Sequence, residues 1–389
     1  MPTRRLILAT GAAGVAIIGA GAFRLLHSDL SKARQPWADA GKSFGDPRLD
    51  ALSYAVLAPN PHNRQPWLVR LDGDDALTLF CDLDRVLPET DPPNRQIVIG
   101  LGAFLELLRQ AAAQSGYRLK TTPFPEGEPY PVLDQRPVAT VRFVPDTDVS
   151  ADPLFGFALD RRTVRLPFDQ ARPVSADVLN RLDMGLRPGD GEFEWANDAA
   201  NVEALKEINR EGWLIEAGTT RTYYESTMLM RIGEHAINDN PDGIALSGPA
   251  MEAMRASGIL TRDELEDQSS RAYQASLDFY NGLIDTAMAF GWLSTSGNSR
   301  TDQLNAGAGW IRLHLAATRE GLAMHPLSQV LQEFPEMAKK FEEIHDFTGM
   351  RPPQSRADGR LQGLFRFGYA KFPPPAPRWP LESRLIADG

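Results

Sequence analysis

Hydrophobic and polar positions change period several times along the chain, and each change marks an element. Leu49, Leu52, Ala55 and Val56 follow Asp46-Pro47 at helical spacing, which predicts a capped helix ending before Pro59. Trp67, Val69 and Leu71 alternate, Asp72-Gly73-Asp74-Asp75 turns, and Leu77, Leu79 and Cys81 alternate again, as in a hairpin. Val98, Leu101, Leu105, Leu108 and Ala112 step by three and four residues, predicting a helix that stops near Gly116. Residues 121–135, rich in proline and glutamate, read as a loop, and 137–144 as a strand. The stretch from Pro145 to Pro153 is the best internal boundary. It separates a first half, 46–150, from a second, 154–385. In the second half the pattern predicts helices near 175–184, 199–214, 262–290, 302–321 and 335–346, with strands at 192–195 and 361–370. Segment 238–259 is broken by glycine and proline. With Tyr223, Tyr224, Met228, Met230 and Met251 it suggests a lid or a packing arm over 221–259. A faint echo links the halves: Gln96, Gly100, Gly102 and Leu108 share the spacing of Gln303, Gly307, Gly309 and Leu315.

Composition narrows the class. The 389 residues exceed what one core usually organises, so two domains or one large one are expected. Lys and Arg number 41 against 51 Asp and Glu, a formal charge of −10, and such a surface repels nucleic acid. The single Cys81 excludes an intramolecular disulfide framework and any cysteine-rich metal site. At the N-terminus, Arg4-Arg5 is followed by a charge-free, weakly apolar stretch from Leu6 to Phe23 that includes Ala20-Gly21-Ala22. Residues 1–28 therefore read as a twin-arginine-type export signal, the alternative being a plain N-terminal anchor. Either places the folded protein in the periplasm or on a membrane facing it.

Several chemistries fail on their spacing. Asn238, Asn240, Asp242 and Gly243 imitate an EF-hand, but its twelfth position is Pro249. Gly100 and Gly102 precede a helix without the third glycine of a dinucleotide fingerprint, Leu105 standing there. No two histidines have metal-ligand helical spacing, and Ser247 and Ser296 lack the glycines of a nucleophile elbow.

Two segments survive. Ala58-Pro59-Asn60-Pro61-His62-Asn63-Arg64-Gln65-Pro66-Trp67 is a rigid loop whose amides and carbonyls suit the edge of a planar heterocycle. Asp160-Arg161-Arg162-Thr163-Val164-Arg165 concentrates three guanidinium groups and a hydroxyl, donors that match a phosphate. Together they resemble the nitroreductase family of FMN proteins, and its long, single-chain Acg-like branch in particular. A third likeness is Gly321-Leu322-Ala323-Met324-His325-Pro326-Leu327-Ser328, and a weaker one is Arg378.

The resemblance implies an α+β fold, nitroreductase-like, in which a single chain forms a pseudo-dimer of two halves with sheets flanked by helices. It implies FMN, with Arg161, Arg162, Thr163, Arg165 and Arg378 at the phosphate. Pro59, Asn60, Pro61 and Asn63 face the ring, and the backbone of His325, Pro326, Leu327 and Ser328 lies on its other side. The function implied is two-electron reduction of a small electron-poor nitro compound or quinone. The alternative is a protein that binds or sequesters flavin with little turnover; a third reading, a ligand binder without redox chemistry, predicts a colourless protein. No side chain is required as a catalytic group or metal ligand. The ring loop lies in one half and the phosphate motif in the other, so a monomer with one site is expected. An exported protein would draw electrons from a membrane quinol or another redox protein.

Overall fold

The computed structural model describes residues 29–387. The expected export signal, 1–28, lies outside the described residues.

In the first half, α1 (Ser31–Asp39) and α2 (Pro47–Ala55) precede β1 (Trp67–Asp72), β2 (Ala76–Cys81), α3 (Arg95–Gln114), β3 (Tyr117–Pro123) and β4 (Ala139–Pro145). Local chemistry sets these bounds. The Asp46 carboxylate accepts from the Arg48 amide with Pro47 in the first turn, and Gly116 takes φ +76° just past α3. The second half repeats the plan: α4 (Ala176–Asp183), β5 (Glu192–Ala196), β8 (Ala289–Thr295), α11 (Arg300–Arg319), β9 (Ala323–Pro326) and β10 (Arg360–Gly368).

The two sheets have one topology. Their strand orders, β1-β2-β4-β3 and β5-β8-β10-β9, match position for position, with every neighbouring pair antiparallel. Where β1 and β2 are joined by a tight turn, β5 and β8 are separated by residues 197–288. That insertion holds α5 (Ala199–Gly218), α6 (Thr220–Met228), β6 (Met230–Ile232), α7 (Gly233–Asp239), β7 (Ile244–Leu246), α8 (Pro249–Ala256), α9 (Arg262–Glu266) and α10 (Arg271–Asp285). After β9 comes α12 (Ala338–Phe347), and the chain ends by returning to the first sheet, where β11 (Leu385–Ile386) pairs parallel to β1.

The halves meet along α3 and α11. A Cβ on Gly102 would stand 2.0 Å from the Leu304 carbonyl oxygen, and one on Gly307 2.0 Å from that of Ile99. The contact is reciprocal, as a two-fold axis requires. It also corrects the register of the echo: Gly102 corresponds to Gly307, not Gly309, and Arg95 to Arg300 at the starts of two equally long helices. The molecule is thus an α+β pseudo-dimer in one chain.

Three expectations change. The helix expected over 262–290 breaks at Asp267–Ser270 into α9 and α10 and ends at Asp285. Its last residues belong to β8, whose seven residues are all buried and therefore show no alternation to read. The loop expected from 121 begins inside β3, an edge strand with Arg118, Lys120, Thr121 and Thr122 in it and only Tyr117 and Leu119 half-buried.

Candidate functional site

Arg161 and Arg162 leave the turn before α4, and Arg378 arrives from the C-terminal tail. The three guanidinium groups gather around Trp37 of α1, at 5.8, 4.8 and 5.7 Å from its ring centre. With Thr163 they line a cavity of about 80 Å³. Arg161 donates to the Leu57 carbonyl, and Arg378 to those of Leu57 and Ala58. No carboxylate pairs with Arg161, Arg162 or Arg378 among the described residues, and the Arg378 Nε atom is buried without a partner. Burial, then the charges of Arg378 and Arg162, draws the Arg161 pKa well below its ordinary value. Burial, then Arg162, lowers that of Arg378 to about 9. Buried like charges without a counterion make a cradle for an anion.

The sequence motif splits at this point. Thr163 forms a parallel bridge with Met324, which turns the chain away, and Arg165 joins a different group of residues. Arg165 makes no hydrogen bond or ion pair among the described residues, yet its charge acts on His62, Glu216, Tyr280 and His325. These groups lie within electrostatic reach of Arg165, His62 in the first half and the others in the second. Burial, then Arg165 and Arg64, pulls the His62 pKa down to about 4, and its Nδ1 is buried without a partner.

The rigid loop is strained. His62, Asn63 and Gln65 all adopt positive φ, 47°, 53° and 53°, which non-glycine residues hold only under external constraint. The constraints are visible. Asn60 Oδ1 accepts from the Gln65 amide at 2.7 Å, and Gln65 bridges the Pro241 carbonyl and the Trp379 amide. Asn63 accepts from Arg378 at 2.6 Å and donates to the Pro377 carbonyl. The side chains of Asn60 and Asn63 are therefore engaged within the chain, and the loop offers backbone groups and His62 instead. Pro59 is buried and Pro61 half-buried, both against the start of α3, where a Cβ on Gly100 would meet Asn60 and Pro61 at 3.0 and 3.2 Å.

On the opposite side, His325 and Pro326 sit in β9 between the two chemistries. His325 is buried, its Nδ1 accepts from Arg366 at 3.0 Å, and burial with the neighbouring Arg366 holds its pKa well below the ordinary value. With Nδ1 accepting, the neutral ring carries its hydrogen on Nε2. The Leu327 amide donates to the Leu364 carbonyl, and Ser328 is bonded to the same strand residue, so neither amide-bearing residue is wholly free.

Trp37 was not legible as a site residue, because it lies far upstream of every motif. Between β5 and β8 the chain carries the insertion 197–288. That insertion is tied to the rigid loop: Asp242 is buried against Arg64, Arg85 and Arg231, and the Gly243 amide donates to the Asn63 carbonyl. Asn238 of the same insertion holds α1 by the Ala33 amide and the Asp29 carbonyl. Of the lid and the packing arm expected over 221–259, these contacts are those of a packing arm across both halves.

The two-fold related position is filled. Loop 184–191 precedes β5 as the rigid loop precedes β1, but Arg109, Arg187 and Arg312 there pair with Glu106, Asp152 and Asp190. One side of the molecule carries guanidinium groups without a paired carboxylate, and the other a neutralised network.

No model of a protein family matches the chain. It is 27% identical over 353 residues to an uncharacterized protein of Mycobacterium tuberculosis, Rv3127, across 86% of this chain and 92% of that one. It is 36% identical over 135 residues to the M. tuberculosis protein provisionally named NAD(P)H nitroreductase acg, across 33% of this chain and 37% of that one. Among solved structures it is similar to an FMN and NADPH-dependent nitroreductase, NfnB, from Sphigopyxis sp. strain HMH. That likeness has a TM-score of 0.38 and 15% identity, over 61% of this chain and 99% of that one.

Proposed function

We propose that the protein is an FMN-dependent oxidoreductase of the nitroreductase type, reducing a small electron-poor nitro compound or quinone. The observation that carries this reading is the unpaired Arg161–Arg162–Arg378 cradle, which Arg378 bonds to the strained loop through Asn63. A cradle of this chemistry fits a phosphate monoester, and the orphaned Nε of Arg378 and Nδ1 of His62 fit a ligand reaching from one to the other. FMN, when bound, supplies two-electron transfer, which the protein's own groups do not.

Each part of the chain then has a task. Arg161, Arg162, Thr163 and Arg378 hold the phosphate. The backbone of Asn60–Gln65 and the ring of His62 meet the heterocycle from the first half, and His325–Ser328 back it from the second. Arg165, displaced from the cradle, places positive charge toward His62 and His325. The insertion 197–288 braces the rigid loop through Asp242 and the Gly243 amide.

Two observations on the purified protein test the reading. A yellow protein whose flavin is reduced and then reoxidised by nitroaromatics or quinones supports it. A yellow protein that takes up electrons and never passes them on favours sequestration, and a colourless protein overturns both. Donor and location are tested together. The relative's name points to NAD(P)H, whereas export through residues 1–28 favours a membrane quinol or a redox protein. Slow anaerobic reduction by NADPH beside fast reduction by a low-potential dye supports the exported reading; rapid, saturable reduction by NADPH overturns it.

A further inference from the structure

Helix α1 has little of its own to hold it. Its nine residues include Pro36, which cannot donate to the preceding turn, and Leu30 at its start supplies no capping side chain. A helix this short is marginal in water without packing, so α1 is helical because of what it lies against. Its main partner is the C-terminal tail. The Arg378 amide donates to the Ala33 carbonyl, Arg34 Nε to that of Pro375 and Trp37 Nε1 to that of Ala376, each at 2.8 Å. Asn238 of the insertion adds bonds to the Ala33 amide and the Asp29 carbonyl. Docked in this way, α1 lays the buried Trp37 indole against the cradle, where it lines the cavity together with Pro374 and Ala376 of the tail. Arg161 and Arg378 are each 3% exposed. Among the described residues, the guanidinium groups of Arg161, Arg162 and Arg378 bond to backbone carbonyls outside α1 and to Asn63. The aromatic face of Trp37 is therefore what α1 brings to them.

We propose that α1 is a strap that closes over an anion in the cradle, with Trp37 as its cover, and that anion and strap hold each other in place. The proposal rests on the anion-cradle part of the reading above. Closing α1 takes three like charges out of water, which is costly while no anion balances them. An anion removes that cost. The indole in turn keeps water from the cradle, and each contact between guanidinium and anion is stronger in the lower dielectric. The coupling is reciprocal: whatever factor a docked α1 adds to the affinity for the anion, the anion adds to the docking of α1. Because the guanidinium groups take their hydrogen bonds elsewhere, loss of the strap uncovers the cradle without dismantling it.

Hydrogen exchange and flavin release, measured on the full chain without turnover, test the strap. Amides of residues 31–39 are expected to exchange about tenfold more slowly with FMN bound than after its removal. Trp37→Ala is expected to release FMN about tenfold faster, the effect of losing a desolvated cation–π cover. Trp37→Phe, which keeps an aromatic face, is expected to stay within about threefold of wild type. Asn238→Ala loosens α1 through bonds that do not involve the arginines, and it is expected to speed release in the same direction. It carries the test if Trp37→Ala folds poorly. A yellow protein with unchanged release in both alanine variants, or with α1 exchange indifferent to FMN, overturns the strap and leaves the oxidoreductase reading standing. A colourless protein whose α1 amides are slowed by inorganic phosphate overturns the flavin reading and keeps the strap. A colourless protein whose α1 is indifferent to phosphate overturns both.

Discussion

At the scale of residues, the cradle behaves as a set of charges awaiting a partner. Removing a charge-assisted phosphate contact costs on the order of 1.5–3 kcal/mol, one to two decades of affinity. Arg161→Ala and Arg378→Ala are each expected to weaken FMN retention by that amount, measured by flavin fluorescence after dialysis. Arg165→Ala is expected to leave retention closer to wild type and to change reduction of the substrate. Equal loss in all three would remove the division between Arg165 and the cradle. Histidines set the acid limit of stability. Burial, the largest cause for each, lowers the pKa of His62 and His345 to about 4 and of His314 and His325 well below normal. The unfolded chain protonates them near pH 6.5, so their contribution is complete above that value and is lost as pH falls from 6.5 toward the folded pKa values. Asp91 and Glu216 act oppositely: each is raised to about 7, so stability falls as pH rises from about 4 to 7. Four histidines outweigh two acids. Denaturant midpoints are expected to decline from pH 6.5 to pH 5, and a flat profile would contradict the assignment.

At the scale of elements, the contact between α3 and α11 decides whether the halves join. Gly102 and Gly307 each face a carbonyl oxygen of the other helix, so a methyl group there forces the helices apart. Gly102→Ala or Gly307→Ala is expected to destabilise by at least ~1–3 kcal/mol. Gly218, at the end of α5 with open space at its Cβ, is the control: alanine there is expected to be neutral or mildly stabilising. Melting temperatures of the three variants check both statements. The insertion is fixed through Asp242. Asp242→Ala leaves Arg64, Arg85 and Arg231 without their shared carboxylate, and buried unpaired charge is costly. Faster proteolysis within 238–259 is the expected result.

At the scale of the molecule, the neutral network of Glu106, Asp152, Asp190 and three arginines occupies the second of two related positions. One flavin per chain and a monomer in solution are therefore expected by absorbance stoichiometry and light scattering. Two flavins per chain, or a site completed by a second chain, would refute the argument. The C-terminal tail closes the design. It supplies Arg378 to the cradle, bonds the strained loop through Asn63 and Gln65, and adds β11 to the first sheet.

What the sequence determined by itself is what local chemistry can specify. Asp46-Pro47 began α2, the Asp72–Asp75 turn made a hairpin, and helical periodicity marked α3 and α11. The arginine run and the proline-asparagine loop raised the expectation of an anion and a planar ligand. Tertiary structure decided everything that depends on which surfaces meet. Strand β8 was hidden because burial on both faces erases alternation. The true register of the repeat was hidden because it is written in two glycines that face backbone rather than in matching side chains. Arg165 was separated from Arg161 by one bridge between Thr163 and Met324, a contact 161 residues apart in sequence. Trp37 entered the cradle from a segment with no motif of its own, since a residue's chemistry is set by its neighbours in space, and those neighbours are chosen only when the chain folds.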